Sequence, residues 1–412
     1  MLSQEPPAGQ TATYHPPYEQ PAPYEQGYWQ NVSPNIRNPA AAPSVQAQTL
    51  PSITPVPQPA APVVIPAPAA AASGTVKVAI LLPLSGRNAA LGQAMLNAAQ
   101  QAVFDSAAPN FALQPHDTAA AGGAAAAAQQ AVDGGAQLII GPLFASNIPA
   151  VEKIAAGANI DMLPLSSDTA LAQRGVYVMG LAPAAQVDRV VAYAAARGIR
   201  RFAALVPSTP YGALVDGAFR QAVLRHGGTV VDDETFTTAQ DIGSAVKNLA
   251  QLRDQIDGLF LPESGANLKI ATDQLTASGF AAAQMHIMGT GLWDVPGLGQ
   301  QNPMLVGAWY AAPDPAARHN FVAAYAAAYG QEPPRLATLA YDATALAAVL
   351  AKRGGRYDDA ALMNPNGFAG LDGIFRLHPD GSVERELAVD QVTADGAQVI
   401  DRAPVSFVNQ AH

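Results

Sequence analysis

Three features of the sequence predict an α/β fold of two lobes, each a parallel sheet flanked by helices. The first is a run, Val76 to Leu82, in which five of seven residues are β-branched or Leu, and which stops at Pro83, Ser85 and Gly86. Such a run closed by turn residues reads as a strand buried on both faces. The second is an Ala-rich helical pattern directly after it, residues 89–105, with Leu91, Met95, Leu96, Ala99, Val103 and Phe104 along one side. The third is the recurrence of this strand–loop–helix unit along the chain, which implies right-handed crossovers between parallel strands.

Taken in order, 111–117 (FALQPHD) is a weaker strand and 122–133 a helix ending near Gly134-Gly135. Residues 137–143 (QLIIGPL) form a second buried strand, 148–156 a helix, and 161–165 (DMLPL) a strand closed by Ser166-Ser167-Asp168. A short strand is expected over 175–181. A second series begins at Pro183, with helices over 184–197, 213–226, 242–252 and 266–279. Its strands are 201–206, 229–232, 258–261, 285–288 and 305–312, the last closed by Pro313-Asp314-Pro315. Two long Ala-rich helices follow, 319–329 and 336–353. The chain then ends in a predicted β-hairpin of 368–377 and 387–392, joined through His378-Pro379-Asp380-Gly381, where Asp-Gly between apolar runs is a turn signal.

The chain has 412 residues and 49% hydrophobic content, enough for two ordinary domains. Its net charge is −10 with Lys and Arg scattered singly, so no basic stripe exists for nucleic acid. Absence of cysteine removes disulfides, thiolate catalysis and Cys-based zinc sites, and suits an oxidising compartment. No stretch approaches the length of a membrane-spanning helix. No GxSxG, P-loop or HExxH occurs, and the seven histidines never fall at metal-ligand spacing. The sequence therefore predicts no enzyme, cofactor or metal. Asp232-Asp233-Glu234 reads as a solvated acidic turn at a lobe edge. Residues 1–74 hold 16 of the 35 prolines and four charged residues, a composition that forbids helix and sheet ladders and reads as a tether. Extended, it would reach about 200 Å.

Several strings resemble a known family: VAILLPLSG (78–86) with the helix after it, LIIGPLFAS (138–146), LPLSSD (163–168), Tyr211-Gly212 opening a helix, and GAWYAAPDP (307–315) continuing into FVAAYAAAYGQEPPRLATLAYDATALAA (321–348). Together they resemble the type I periplasmic binding protein fold, and within it the penicillin-binding-protein activator lipoproteins. The resemblance covers 74–399 and implies three crossings between lobes, near 181–182, 310–313 and 368–373. Lobe 1 would hold 75–180 and 314–366, and lobe 2 183–309 and 367–412. Activators of the best-known type carry a helical-repeat domain before this fold, where this chain has the Pro-rich stretch. The family also has a signal peptide and a lipidated Cys, and the sequence has neither. The expectation is that the native start lies upstream of Ser3, that a lipobox has been lost, and that the protein is periplasmic and anchored to the outer membrane.

Open α/β sheets bind ligands at the carboxyl ends of their strands. The candidate cleft residues are Ser85, Gly86, Phe144, Ser146, Ser166 and Ser167 in lobe 1, and Tyr211, Glu263 and Trp293 in lobe 2. In relatives that bind amino acids, hydroxyls and amides of the lobe 1 loops hold the ligand carboxylate. Tyr211 matches a position that stacks on or bonds the ligand, Glu263 lies where an ammonium would be received, and Trp293 and Tyr310 would add apolar walls. Ser146 reads equally as a helix cap, and Ser166 and Ser167 as turn formers. Two functions are implied. One is a non-catalytic regulator that contacts a peptidoglycan synthase (a penicillin-binding protein). The other is the solute receptor of an ABC transporter, closing on an amino acid or amide.

Overall fold

A computed structural model describes residues 74–281 and 285–407; the Pro-rich segment through residue 73 lies outside the described residues. The first sheet has strand order β2-β1-β3-β4, all parallel, built from β1 (Val76–Leu82), β2 (Phe111–Asp117), β3 (Leu138–Ile140) and β4 (Met162–Leu163). Between them run α1 (Ala89–Ser106), α2 (Gly123–Asp133) and α3 (Ile148–Gly157). Phe104, expected along the apolar side of α1, is left exposed. The period of two in β1 is read out on two cores. Val76, Val78, Ile80 and Leu82 face the cluster shared with α1, while Ala79 and Leu81 face α2 and α3. That is why the run is apolar at every position but Lys77, whose ammonium reaches out to the Gly134 carbonyl, rather than alternating. At the end of β3, Gly141 has φ +90° and lies so close to β1 that a Cβ there would fall 2.4 Å from the Leu81 carbonyl oxygen.

The chain enters the second core through α4 (Pro183–Ala196). There β5 (Arg201–Pro207), α5 (Pro210–Arg225), β6 (Thr229–Phe236), α6 (Ile242–Gln251), β7 (Gly258–Phe260), α7 (Gly265–Ala277), β8 (His286–Gly289), α8 (Leu298–Gln301) and β9 (Trp309–Ala312) follow. The chain returns to the first core with α9 (Pro315–Tyr329), α10 (Ala337–Lys352) and α11 (Asp359–Leu362). Alanines of α1 and α10 (Ala98 and Ala99, Ala340 and Ala343) are buried between the two helices, where small side chains let the axes approach closely.

A three-stranded antiparallel sheet comes next, β10 (Phe368–Gly370), β11 (Gly373–Leu377) and β12 (Val383–Arg385). Finally β13 (Ala388–Val392) and β14 (Ala397–Asp401) join the second sheet, whose order is β14-β13-β9-β8-β7-β5-β6. Strands β5 to β9 are parallel, whereas β13 and β14 are antiparallel to their neighbours.

Four more sequence expectations are corrected here. The predicted hairpin partner of 373–377 is β12, not 387–392, because the short turn at Gly381 returns the chain directly onto Leu377. Phe368, Phe375 and Leu377 pack in the first core and Leu387 and Val389 in the second, so the last passage between cores falls between Leu377 and Leu387 rather than at 368–373. Residues 175–181 form no strand beyond bridges at Val176: the Tyr177 and Met179 N–H groups still donate to the Met162 and Pro164 carbonyls, but Pro164 has no N–H to return a bond, so the ladder stops. The acidic run 232–234 lies inside β6, and the Asp233 carboxyl is covered by α5, where it pairs with Arg220. It is no solvated turn. Burial and the neighbouring Asp216 push Asp233 up to about 7.

Candidate functional site

Polar groups gather where the parallel strands of both sheets end. After β1 the chain turns at Pro83 and leaves Ser85 and Gly86 exposed ahead of a single 3-10 turn. Asp117, the last residue of β2, organises this loop: its Oδ1 accepts the Leu84 N–H at 2.9 Å and the Ala119 N–H at 2.8 Å. Burial opposes its charge, but the Ser85 hydroxyl and the backbone N–H groups of Ala119, Leu84 and Ser85 outweigh it and hold the carboxyl below the usual range. The sequence analysis passed over Asp117; an aspartate closing a strand, two residues from a hydrogen-bonded N–H, was its only local signal.

After β3, Phe144 is half-buried and leads into the 3-10 turn Ala145–Asn147, with Ser146 exposed. Ser146 does not cap the following helix. Asn147 occupies that position and makes no side-chain cap, so the positive end of α3 faces this loop. After β4, Ser166 is buried. Its hydroxyl accepts the Asp168 N–H at 3.1 Å, and its carbonyl accepts the Gly180 N–H at 3.0 Å. Ser166 therefore shapes the turn, while Ser167 stands half-buried beside it.

The second sheet arranges its candidates as an interlocked group. Thr209 caps α5 by accepting the Gly212 N–H at 3.0 Å, which turns Tyr211 inward. The Tyr211 hydroxyl lies 2.8 Å from Oγ1 of Thr290, a fully buried residue that opens the 3-10 turn Gly291–Trp293 beyond β8. The Gly291 N–H donates to Oε1 of Gln186 in α4 at 2.7 Å. Trp293 is 1% exposed, and its indole N–H donates to the Glu263 carbonyl at 3.0 Å. Its ring lies on Gly289, where a Cβ would come within 2.4 Å, so only glycine fits there. Tyr310 stands edge-on with ring centroids 6.4 Å apart. Both aromatics are buried in the second core and support the rim from behind instead of forming an open wall.

Glu263 is the charged member of this group. Its Oε1 accepts the Ser264 N–H at 2.8 Å at the start of α7. Burial pushes its carboxyl above the ordinary range, hydrogen bonds from Ser264 and Asn267 offset this only in part, and no cation contributes. A half-buried carboxylate with no positive partner among the described residues is an acceptor for a positive group. The structure thus draws Tyr211, Glu263 and Trp293 into one contiguous cluster. Ser85, Ser146 and Ser167 lie on three separate loops of the first sheet.

Two further residues, absent from the sequence reading, join the lobes beside this cluster. Asp294 follows Trp293 directly, and Arg335, between α9 and α10, reaches it with Nε 3.3 Å from Oδ2. Nothing local marks Arg335, which sits after Pro333-Pro334 in a polar connection. Among the described residues no group of His, Asp or Glu is placed to hold a metal ion, and no helix is long and apolar enough to cross a membrane.

Comparison with known proteins follows from this geometry. The family model described as "Periplasmic binding protein" matches residues 75–397. An uncharacterized protein of Rickettsia prowazekii (strain Madrid E) is 22% identical over 209 residues, which cover 48% of this chain and 56% of that protein. The chain thus spans just over half the length of that curated relative. A branched-chain amino acid ABC transporter periplasmic ligand-binding protein of Burkholderia xenovorans LB400 superimposes with a TM-score of 0.63 at 17% identity, covering 80% of this chain and 96% of that one. A solute-binding protein of an ABC transporter from R. palustris, in complex with benzoate, gives 0.55 at 19% identity over 82% of this chain and 99% of its own. At these identities the likeness is one of fold.

Proposed function

The chain belongs to the periplasmic binding protein family, with the type I fold of two parallel-sheet lobes, and from that premise we propose that it is the non-catalytic solute receptor of an ABC transporter. The observation that carries this reading is Glu263, a carboxylate raised by burial and lacking a cation among the described residues; the lobe 1 loops at the strand ends offer hydroxyls and a helix N-terminus. A zwitterionic ligand satisfies both sides. Its ammonium pairs with Glu263, while its carboxylate is taken by Ser146, Ser167 and the N–H groups at the start of α3; Ser85, engaged by Asp117, shapes the rim beside them. A plain aromatic acid such as benzoate would leave Glu263 buried without a partner, so an amino acid or its amide is the better match. Ser166 and Trp293 serve as supports, and Tyr211 and Phe144 as the flanks of the bound group.

The test is thermal denaturation against a panel of amino acids, their amides and benzoate. A ligand at 100 times its Kd adds about 2.7 kcal/mol of stability. Stabilisation by an amino acid and not by benzoate is the expected result; no shift with any member of the panel would sink the receptor reading.

A second reading has its own support in the Pro-rich composition of residues 1–74 and in the strings shared with penicillin-binding-protein activators. In it, a periplasmic protein anchored to the outer membrane extends the tether through the cell wall and stimulates a peptidoglycan synthase. The structural relatives lean towards the receptor. Capture of a bifunctional synthase from envelope extract by the full chain would favour the activator, and its repeated absence would remove it.

A further inference from the structure

Arg335 belongs to the first lobe by its surroundings. Leu336 packs into the first core, and the guanidinium, 11% exposed, is held from that side by a rigid frame. Nη1 donates to Oδ1 of Asp372 at 2.7 Å and to the Thr338 hydroxyl at 2.9 Å, and Thr338 in turn donates to Oδ2 of Asp372 at 2.6 Å. Asp372 is wholly buried. Burial alone would raise it, but the Arg335 and Arg385 charges and the Thr338 hydroxyl hold its carboxyl below the usual range. The frame continues into α10. The Asp342 carboxylate accepts the Leu371 N–H at 2.6 Å and pairs with Arg385 at 2.8 Å, fixing the turn that carries Asp372.

The other arm of Arg335 points out of this frame to Asp294, which is 27% exposed, at 3.3 Å. Asp294 is packed with the second lobe, between Trp293 and Val295 of its core. The residue is also covalently continuous with the turn that places Thr290, Tyr211 and Trp293. The two arms are therefore unequal: a short contact to a buried carboxylate within one lobe, and a longer one to a partly hydrated carboxylate across the gap. When the lobes move apart, the contact at Asp294 is the one that yields. The Arg402–Asp314 pair, by contrast, has its arginine side chain 73% exposed and lies where the chain itself crosses, so lobe motion disturbs it least.

We infer that Arg335 is a positioning residue for ligand binding: with Asp294 it forms an interlobe latch, closed when the lobes are together and broken at Asp294 when they part. The affinity consequence rests on the receptor reading; the latch itself does not. A ligand held between the closed lobes leaves only after the latch opens, so the latch slows its dissociation. Loss of a partly exposed ion pair lowers the ratio of latched to open form by up to about fivefold.

Because the chain has no cysteine, lobe separation can be measured directly on the full protein. Ala150→Cys on α3 and Gln221→Cys on α5, both exposed, accept spin labels for a pulsed distance measurement. In this background Asp294→Asn is expected to move the distance distribution to longer values without ligand. High salt should do the same to the unsubstituted latch, and Arg335→Lys should fall between the two. A distribution unchanged by Asp294→Asn, with thermal stability intact, would overturn the latch. L-leucine then serves as the probe ligand: Asp294→Asn should raise its dissociation rate about fivefold and leave association unchanged. Leucine that alters neither distance nor stability in any variant counts against the receptor reading, while the comparison of unliganded proteins still decides the latch.

Discussion

At the carboxyl ends of the first sheet, Ser85 and Ser146 stand exposed and Ser167 half so, each on a loop that its own neighbours hold in shape. At the corresponding ends of the second sheet, Tyr211, Thr290 and Trp293 are buried and bonded to one another or to backbone, leaving Glu263 as the group without a charge partner. The first rim offers the hydroxyls of Ser146 and Ser167, while Ser85 is engaged by Asp117. The second invests its side chains in stiffness and presents one carboxylate from a fixed position. A receptor benefits from this division, since stiffness on one side sets ligand orientation and open donors on the other adapt to it.

The contrast can be broken most forcefully at Trp293. Trp293→Ala removes a fully buried indole and its hydrogen bond, and is expected to cost about 3–5 kcal/mol in denaturant unfolding. A loss below about 1 kcal/mol would mean that the second rim is not built around this ring. Next comes Tyr211→Phe, which leaves the buried Thr290 hydroxyl only the longer contact from the Leu292 N–H at 3.5 Å and should cost about 1–3 kcal/mol.

Glu263 gives a pH signature instead. Its folded pKa is raised, so the folded state holds the proton more tightly than the unfolded state. Stability relative to Glu263→Gln should therefore fall as pH rises from the ordinary glutamate range through the raised folded value. A flat difference across that window would show that the carboxyl is hydrated. The smallest effect belongs to Ser146→Ala, within about 0.5 kcal/mol of wild type in stability, while affinity for an amino acid drops. A stability loss comparable to that of Tyr211→Phe would erase the distinction between the rims.

Much of the fold was legible because each signal was local. The apolar run of β1 and the strand–loop–helix alternation were properties of short windows, and burial of β1 on both faces follows from its lack of alternation. The C-terminal segment misled for the converse reason. His378 to Gly381 is a turn in any context, but whether Leu377 pairs with Val383 or with a later strand depends on which sheet has an open edge. In the end β13 takes the edge offered by β9 in the other lobe.

The candidate site divides along the same line. Strand ends and turn residues could be read from the chain, so the loops bearing Ser85, Ser146 and Glu263 were found. The contacts that give them meaning span long stretches of sequence: Tyr211 to Thr290, Asp117 to Leu84, and Arg335 to Asp294 and Asp372. Hydropathy periodicity records which face of an element is buried, because that is a property of neighbouring residues. It carries nothing about which polar side chains from distant elements meet, since their pairing is set by the packing of whole lobes. Propensity and pattern thus settled most of the architecture, and tertiary packing alone decided that Tyr211, Thr290 and Trp293 would be locked together and that Arg335 would reach both Asp372 and Asp294.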